Sequence, residues 1–588
     1  MVDTGPARAE ASAGRPNCIH GGRAFLHNGE EMAGRVGVPA GAPPIAIVDA
    51  VFAMRGPAGL ADLRGTFSFV HWDESGRRLT LTRDCGRGEA LHFFRTPDFV
   101  VFATHLPDLL AHPDVPRELD EAVLAGQAAG NVHQRQRTIY RGIERVPSRT
   151  VVTVTRETIA HRIYWQPVIA ATALYSRDED YVERARELLD RAVDRVLKGA
   201  PKFAVLASGG LDSAAVLSTL ARRGIPIIPC YTLVPEQPGA GPSASFAYGD
   251  ERPKTEALAA MYPALQFHYW TAADSRAHAP PDEDDFERWP LPQFNISRAR
   301  LNYPLFRAIS DAGYPVVLTG TAGNLSLSWA GDDLLAQLLG RGSILELWRA
   351  ARASARYRSS STLRVLAHSV FLPLLPDAAK ELLVRLIGEG ARLIDARSPI
   401  RPEIARELRL REQWQEDGYD PLPRWNRRAA AFRIARMIDR PYMMHDQGPV
   451  LDAIYGFDRR DPLADRDLFE FCLNVPARLY RRDGVERWLA RAVLAGRAPP
   501  EIVGERRRGQ QHIPWSAGVA PPAIAEEVER MDRSLLASGL FDVPRLRRMA
   551  SDWPDDVETD ETTSRSYMAL DQAMYLFRFM RWVGRGNA

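Results

Sequence analysis

The sequence predicts a multidomain α/β protein with an antiparallel, β-rich N-terminal part and a parallel α/β C-terminal part with added helices. At 588 residues the chain is too long for a single hydrophobic core. Short alternating segments separated by turns dominate up to about residue 167. Beyond them, apolar strand patterns alternate with helical spacing, which is typical of parallel βαβ units.

The overall composition is that of an ordinary globular protein. Charged residues make up 26% of the chain, yet the formal net charge is only +2, which does not favour a nucleic-acid partner. No apolar run is expected to reach the length of a membrane span, the longest lying around residues 365–375, and the N-terminus lacks a signal-peptide core. Four cysteines without pairing or metal-ligand spacing are typical of a reducing compartment. They are Cys18, Cys85, Cys230 and Cys472. We therefore expect a cytoplasmic protein with no membrane span.

The first domain is expected over residues 1–170. Residues 63–73 and 78–84 both alternate between apolar and polar positions and are joined by Glu74-Ser75-Gly76, a pattern that predicts a β-hairpin. Residues 99–103 and 150–154 add further strands. A second domain is expected over residues 171–588, opening with a helix that starts at a capping-box pattern, Ser176 to Glu179.

The most informative segment follows a short apolar run at residues 203–206. Ser208-Gly209-Gly210 ends that run, and the residues after it have helical spacing, so the pattern predicts strand, tight turn and helix. The glycines permit a sharp turn that aims backbone N–H groups at a point ahead of the helix, where an anion is stabilised. Asp212 at this place would repel a bare polyphosphate, so a divalent cation is expected with it. An ordinary turn, with glycines serving only sterics, is the alternative.

The next segments extend the parallel sheet. Residues 226–232 have a buried-strand pattern, residues 234–249 are expected to form a mobile loop, and residues 254–261 a helix. A helix over residues 302–312 and a third strand over residues 314–320 follow. A nucleotide is expected at the carboxyl ends of these strands.

Residues 331–440 are expected to be a helical, arginine-rich insertion. Runs such as Trp348-Arg349-Ala350-Ala351-Arg352 are most often a solvated helix face. A basic, aromatic-lined wall for a peptide or partner protein is the other interpretation.

The segment Ser208-Gly209-Gly210-Leu211-Asp212-Ser213 resembles the pyrophosphate loop of the ATP pyrophosphatase families. That resemblance implies cleavage of ATP between its α and β phosphates, giving an adenylated substrate and pyrophosphate. With the N-terminal strands, nearly the whole chain resembles the asparagine synthetase superfamily, whose N-terminal domain is a glutaminase. The further matching segments are residues 65–73, 83–84, 102–105, 109–113, 138–143, 164–167, 461–471 and 488–491.

The chain departs from the superfamily pattern at its start. Glutamine-using members carry a cysteine after the initiator methionine, and this sequence has Val2. An N-terminal nucleophile needs a thiol or hydroxyl with its own α-amine as base. Cys18 would become terminal only after removal of 17 residues. We therefore expect a degenerate, glutaminase-like domain with a structural role.

Three further departures lie in the synthetase part. Where the superfamily has a Gly-x-Gly-x-Asp turn with a second magnesium ligand, this chain has Asn324, whose amide oxygen brings no charge. Thr321 occupies the position of a Glu or Tyr base or base partner, so a dedicated carboxylate base is expected to be missing. Arg507 falls on the catalytic lysine of an Arg-Pro-Lys-x-Gly-Phe pattern when Gly509 is aligned. A guanidinium stays protonated, so its role is expected to be electrostatic.

Within the superfamily, residues 323–329, residues 507–511 and Asn302 look most like the lasso peptide cyclases, which are ATP-dependent macrolactam synthetases. That resemblance implies adenylation of an Asp or Glu side chain in a leader-free precursor peptide, followed by attack of the peptide's own α-amine. It also implies a leader-binding protein and a leader peptidase as pathway partners. A β-lactam synthetase, an ammonia-dependent asparagine synthetase and an inactive binding scaffold are the alternatives.

The resemblance assigns a set of site residues, with ATP and Mg²⁺ as ligands. The catalytic residues are Arg507 and Thr321; the ATP-binding residues are Leu206, Ala207, Ser208, Gly209, Gly210, Asp212, Ser213, Tyr231 and Gly320; the metal ligands are Asp212 and Asn324; and the substrate-binding residues are Asn302, Ser326, Ser328 and Gln510.

Overall fold

The structure is a computed structural model. It describes residues 10–12, 15–85, 88–130, 135–239, 243–244, 247–277, 286–287, 290–292, 296–376, 379, 398–410, 412–413, 429–439, 452, 454–509, 521–552 and 561–586.

The N-terminal part contains a six-stranded antiparallel sheet in the order β1-β2-β3-β4-β8-β9. Its strands are β1 (Glu10–Ser12), β2 (Arg15–Leu26), β3 (Gly65–Asp73), β4 (Arg78–Arg83), β8 (Thr150–Val154) and β9 (Ile159–Ile163). A smaller antiparallel sheet has the order β6-β5-β7, with β5 (His92–Arg95), β6 (Val100–Ala103) and β7 (Ile143–Arg145). The expected hairpin is β3 and β4, so the antiparallel character predicted for this part is present.

Two helices in this part were not expected. They are α1 (Gly29–Val36) and α2 (Pro44–Gly59), and two shorter helices, α3 (Leu106–Leu110) and α4 (Glu121–Ala128), follow. By length and composition alone, residues Pro44–Asp62 could cross a membrane, which corrects the expectation that no such segment exists. A buried core helix meets the same criteria, and Ile47, Val48 and Val51 of α2 are buried against the sheet.

The C-terminal part is built on a five-stranded parallel sheet with the order β14-β11-β10-β15-β16. The strands are β10 (Phe203–Leu206), β11 (Ile228–Leu233), β14 (Leu265–Trp270), β15 (Val316–Leu318) and β16 (Asp458–Arg460). Three of the five were expected, and β14 and β16 were not. The central strand β10 is followed directly by helix α6 (Leu211–Ala221), so the glycine turn lies at the carboxyl edge of the sheet.

The segment expected to be a mobile loop contains two short strands among its described residues. They are β12 (Ser243–Ala244) and β13 (Ala247–Tyr248), and β13 pairs in parallel with β19 (Arg508–Gly509). Helix α7 (Arg252–Met261) follows directly. The pairing brings the arginine-rich segment around residue 507 next to helix α7.

The remaining helices surround the parallel sheet and extend into the insertion. Helix α5 (Asp178–Leu197) opens this part, but no side-chain cap forms at its N-terminus, so the expected capping box is absent there. The others are Ala272–Ala277, Ile296–Asp311, Leu334–Gly340, Ile344–Tyr357, Thr362–Leu366, Leu372–Leu374, Pro402–Glu407, Ala429–Ile434, Arg466–Leu473, Trp488–Leu494, Pro500–Val503, Pro521–Asp532, Leu535–Leu540, Val543–Ser551 and Glu561–Gly586. A short antiparallel pair, β17 (Arg481–Arg482) and β18 (Val485–Glu486), completes the described elements.

The two parts share a hydrophobic core. One buried cluster joins Phe67 and Trp165 of the N-terminal part to Leu211 and Phe469 of the C-terminal part. Arg64 also crosses the boundary, donating from Nε to Asp467 Oδ1 at 2.9 Å. Burial of apolar area from both parts stabilises their association. The space between the two parts is therefore bounded by packed residues.

Candidate active site

The loop after β10 is closed by its own side chains. Ser208 N–H donates to Ser213 Oγ at 3.0 Å, and Gly210 N–H donates to Ser208 Oγ at 3.3 Å. Gly209 N–H donates to Glu251 Oε2 at 2.7 Å. The first N–H groups of an α-helix have no partner within it, so the start of α6 remains a place where phosphate oxygens can bind.

Gly209 is required for the close approach of α7 to this loop. A Cβ at Gly209 would lie 2.7 Å from Glu251 Oε2 and 2.7 Å from Lys254 Cβ. Both contacts are shorter than real Cβ contacts, so any side chain here would displace the helix. The loop is therefore fixed from one side by the acidic and basic side chains of α7.

The Asp212 carboxyl packs directly against the turn that follows β15. A Cβ at Gly323 would lie 2.1 Å from Asp212 Oδ1, and a Cβ at Gly320 would lie 3.2 Å from the Asp212 carbonyl oxygen. Gly323 is thus needed for the turn and the loop to touch, whereas a side chain at Gly320 would require a shift of a few tenths of an ångström. Asn324, the second expected metal ligand, is exposed in the same turn.

The environment of Asp212 favours its neutral form. Oδ1 is buried and has no hydrogen-bond partner among the described residues. Burial raises the pKa of Asp212 from 3.8 to about 6, which the Ser328 hydroxyl and Arg487 oppose and the charge of Asp461 supports. No hydrogen bond of normal geometry joins Ser328 Oγ to this carboxyl. A buried carboxylate oxygen left without a donor is suited to a cation, because a cation would compensate its charge.

Thr321 is committed to a neighbouring carboxylate. Its hydroxyl donates to Asp461 Oδ2 at 2.8 Å, and Ala322 N–H donates to the same oxygen at 2.9 Å. Asp461 Oδ1 accepts from Leu463 N–H at 2.9 Å. Asp461 therefore holds the turn in place, and its position fits a structural role better than that of a free base.

The two serines expected to contact substrate face inward. Ser326 is buried, and its hydroxyl lies 2.8 Å from the Leu463 carbonyl oxygen and 3.1 Å from that of Ala322. Ser328 is buried beside Asp212. This placement favours support of the turn over contact with substrate. Asn302 is half-buried, and Gln510 lies outside the described residues.

Arg507 is held by a nearby carboxylate. Its Nε donates to Glu505 Oε1 at 3.1 Å, and its Nη2 donates to Glu505 Oε2 at 2.9 Å. The Arg507 side chain is 39% exposed, and its guanidinium lies 5.6 Å from the ring centre of Tyr248. Glu505 also pairs with Lys254 Nζ at 2.9 Å. Hydrogen bonds from Arg507 and Lys254, together with the charge of Lys254, outweigh burial and lower the pKa of Glu505 to about 2.

A continuous cavity of about 2860 Å³ joins these groups to the N-terminal part. Ligand sites typically occupy roughly 300–1,000 Å³, so a nucleotide would fill only part of it. Of the expected site residues, those that line it are Leu206, Ala207, Ser208, Asp212, Ser213, Tyr231, Asn302, Gly320, Thr321 and Asn324. The opposite wall includes Arg23, Phe67 and Trp165. Within the described part of the chain, the lining does not include Gly209, Gly210, Arg507, Ser326 or Ser328.

Oxygen donors for a metal ion are sparse here. Over the described residues, no group of three or more His, Cys, Asp or Glu side chains could hold a metal. Asp212 and Asn324 offer one carboxylate and one amide. Mg²⁺ commonly uses one or two protein ligands together with substrate phosphates, so this pair fits a magnesium ion that arrives with a triphosphate.

The hydrogen bonds and ion pairs that join the glycine loop to α7 and to residues 505–507 were not predicted from the sequence. The contacts that Lys254 and Glu505 make there were not foreseen. The only available signal was that lysine follows glutamate by three positions on one helix, which places both on the same face.

A glycine-rich anion loop at the carboxyl edge of a parallel sheet defines a nucleotide-binding α/β domain. The asparagine synthase family model matches residues 184–583, and the glutamine amidotransferase domain model matches residues 46–165. The chain therefore belongs to the asparagine synthase family. It pairs a glutamine amidotransferase-like N-terminal domain with an asparagine synthase domain.

Individual relatives are distant. Asparagine synthetases [glutamine-hydrolyzing] 2 and 3 of Bacillus subtilis (strain 168) are 27% identical over 174 residues and 26% identical over 160 residues. These alignments cover 28% and 27% of this chain and 23% and 26% of the synthetases, so the chain spans about a quarter of their length. Amidase chyE of Penicillium rubens is 24% identical over 474 residues, covering 74% of this chain and 66% of that protein.

A solved glutamine phosphoribosylpyrophosphate amidotransferase from B. subtilis is also similar, with 10% identity and a TM-score of 0.20. The match covers 45% of this chain and 63% of the amidotransferase chain. A score this low carries no argument about the fold.

Proposed function

We propose that this chain is an ATP-dependent macrolactam synthetase that closes the ring of a lasso peptide. It adenylates an Asp or Glu side chain of a leader-free precursor peptide and releases pyrophosphate. The peptide's α-amine then attacks the acyl-adenylate, AMP leaves, and an isopeptide bond forms. Family membership supports the amide-forming, ATP-dependent part of this proposal, and the lasso substrate rests on the sequence resemblance.

The observation that carries the proposal is the pairing of the pyrophosphate loop with a cavity much larger than a nucleotide. Asp212 and Ser213 at the start of α6 line this cavity together with residues of the N-terminal part. ATP with a free amino acid and ammonia would leave part of the cavity of about 2860 Å³ to water. A folded-back peptide would use that space, and it would keep the acyl-adenylate from water.

Each residue then has a defined task. The N–H groups at the start of α6 hold phosphate oxygens, and Asp212 with Asn324 would hold Mg²⁺. When bound, Mg²⁺ neutralises phosphate charge and favours pyrophosphate as the leaving group. Arg507 stabilises the negative charge that develops during adenylation, because its guanidinium stays protonated and can contact phosphate bidentately.

The absence of a dedicated base is compatible with this chemistry. A free α-amine has a reference pKa of about 8, so a sizeable fraction is neutral near neutral pH. Positioning alone can then supply much of the rate, since holding the amine beside the acyl-adenylate makes the second step intramolecular. Thr321, whose hydroxyl donates to Asp461, is expected to hold the turn beside the acyl group. The proton that the amine loses on acylation passes to the departing AMP or to water.

The proposal includes a structural role for the glutaminase-like domain. Cys18 lies inside β2, buried, in register with Asp73 of β3. It is the fourth residue of the strand and follows residues that are themselves paired, whereas an N-terminal nucleophile needs its own free α-amine. The domain instead forms one wall of the cavity.

The test is ATP–pyrophosphate exchange followed by mass spectrometry of the peptide. A leader-free peptide with a free N-terminus and an acidic side chain several residues away should give exchange and lose one water. The same peptide with an acetylated N-terminus should exchange without closing, and its Asn or Gln analogue should do neither. Exchange with free aspartate and ring-free amide formation with ammonia would instead support an ammonia-dependent asparagine synthetase.

The expected partners are a leader-binding protein and a leader peptidase that supply the leader-free peptide. A nucleotide-binding titration separates the enzyme from an inactive scaffold. Failure of the protein to bind Mg·ATP at millimolar concentration would favour the scaffold.

A further inference from the structure

Glu505 sits between two cations. Its Oε1 accepts from the backbone N–H of Arg506 at 2.9 Å, from that of Arg507 at 3.0 Å and from Arg507 Nε at 3.1 Å. Its Oε2 accepts from Arg507 Nη2 at 2.9 Å and pairs with Lys254 Nζ at 2.9 Å. The Glu505 side chain is only 15% exposed, so this carboxylate is more constrained than an ordinary surface ion pair.

Lys254 connects this carboxylate to the pyrophosphate loop. Its side chain is 10% exposed, and its Nζ lies 3.2 Å from the ring centre of Tyr248. One turn earlier on the same helix, Glu251 accepts from Gly209 N–H of the loop. Tyr248 of β13 pairs in parallel with Gly509 of β19, which joins the segment of residues 505–509 to the chain just before α7. Loop, helix α7 and the segment of residues 505–509 therefore form one connected body.

The contacts place Arg507 in competition between two anions. Its guanidinium already donates two hydrogen bonds to Glu505, and the same N–H groups would be needed by a triphosphate. If Arg507 turns to phosphate, Glu505 keeps Lys254 as a partner. Because Glu505 then still has a cationic partner, its largely buried carboxylate is not left unpaired. An unpaired buried charge would oppose the movement of Arg507 to the phosphate.

We propose that Glu505 is a positioning residue that holds Arg507 in place before ATP binds and passes it to the phosphates, while Lys254 retains Glu505. This inference rests on the proposed function, since it describes how Arg507 reaches the adenylation site. Glu505 touches neither substrate nor reacting atoms and acts only through Arg507.

The test is a double-mutant cycle in the full-length protein with Glu505→Gln, Arg507→Ala and the double variant. ATP affinity is measured by titration with Mg·ATP in the absence of peptide, and the maximal rate is measured by ATP–pyrophosphate exchange. Glu501→Gln, a change of an exposed carboxylate on the preceding helix, serves as the matched control. Thermal unfolding of every variant confirms that it is folded.

Glu505→Gln should move affinity and rate in opposite directions. Removing the competing carboxylate should tighten ATP about two- to five-fold, the size of one partly exposed ion pair. The maximal exchange rate should fall about 10- to 100-fold, because Arg507 is no longer held near its working position. Both effects should vanish in the Arg507→Ala background, and Glu501→Gln should match the wild type.

Two further variants keep the proposal testable if Glu505→Gln does not fold. Glu505→Asp keeps the carboxylate but shortens the side chain by one methylene. We expect it to lower the exchange rate less than Glu505→Gln does. Lys254→Met should slow exchange and Lys254→Arg should restore most of it.

The proposal is overturned if Glu505→Gln changes both the ATP affinity and the exchange rate by the same factor in the wild-type and Arg507→Ala backgrounds. A wild-type rate and affinity in a folded Glu505→Gln variant would also overturn it. If the wild type shows no exchange with any acidic peptide, the proposed function fails. The affinity cycle still tests the link between Glu505 and Arg507.

Discussion

The buried carboxyl of Asp212 faces opposing demands. Metal binding needs it ionised, whereas burial without a donor on Oδ1 favours the neutral acid. The difference between the ordinary pKa of 3.8 and the value of about 6 corresponds to about 3 kcal/mol at 1.36 kcal/mol per tenfold. Because the pKa is raised on folding, the stabilisation associated with protonation is complete below pH 3.8 and is lost as the pH rises through 6.

Asp212→Asn removes this titration while preserving the shape of the side chain. In the nucleotide-free protein the variant should be more stable than the wild type by up to about 3 kcal/mol at pH 8 and by about half of that at pH 5. Thermal unfolding at the two pH values measures this difference. The variant should also lose pyrophosphate release, because it lacks the proposed metal ligand.

The pH dependence of Mg·ATP binding provides a second test of the Asp212 carboxyl. Below pH 6 the wild type must release a proton from Asp212 to bind Mg·ATP, so its affinity should fall about tenfold per pH unit more steeply than that of the variant. An equal gain in melting temperature at pH 5 and pH 8 would refute the assignment of the raised pKa. Turnover like the wild type at saturating Mg²⁺ would refute the metal role.

The other predictions concern neighbouring parts of the site. Arg507→Ala should lower ATP–pyrophosphate exchange about 100- to 1,000-fold, the usual cost of one lost charge-stabilising donor, and a rate like the wild type would refute its role. Gly323→Ala should abolish exchange because its Cβ would lie 2.1 Å from Asp212 Oδ1, whereas Gly340→Ala, with open space at its Cβ, should be active. The protein should release no glutamate from glutamine above background, and steady release that disappears in Cys18→Ala would contradict this.

Local patterns predicted the fold best. The hairpin of β3 and β4 and the strand, turn and helix around Gly209 are each encoded within about twenty residues, so alternation and helical spacing were sufficient. Helix α2 escaped notice because Gly56 and Pro57 interrupt it, and Gly56 adopts a non-helical φ of 63° and ψ of −160°. Glycine and proline side by side are typical of turns, which works against predicting a helix here.

Contacts between distant segments could not be predicted. The pairing of β13 with β19 joins residues about 260 positions apart, and no periodicity within either segment specifies it. For the same reason the loop prediction for residues 234–249 gave no hint that it borders Arg507. The family resemblance assigned Ser326 and Ser328 to substrate binding, but their inward orientation depends on packing against Leu463 and Asp212.

The charges around the loop explain why the metal ion is central to the proposed chemistry. The carboxylates of Glu251 and Glu505 lie beside the cations of Lys254 and Arg507, and Asp212 adds a third carboxylate next to the loop. These five side chains therefore provide no surplus of positive charge for a triphosphate. Asn324 contributes an oxygen without a charge. Most of the compensation for the phosphates must then come from Mg²⁺ and from the N–H groups of α6. Under the proposed function Arg507 adds specificity for the transition state, because we propose that it leaves Glu505 for the phosphates.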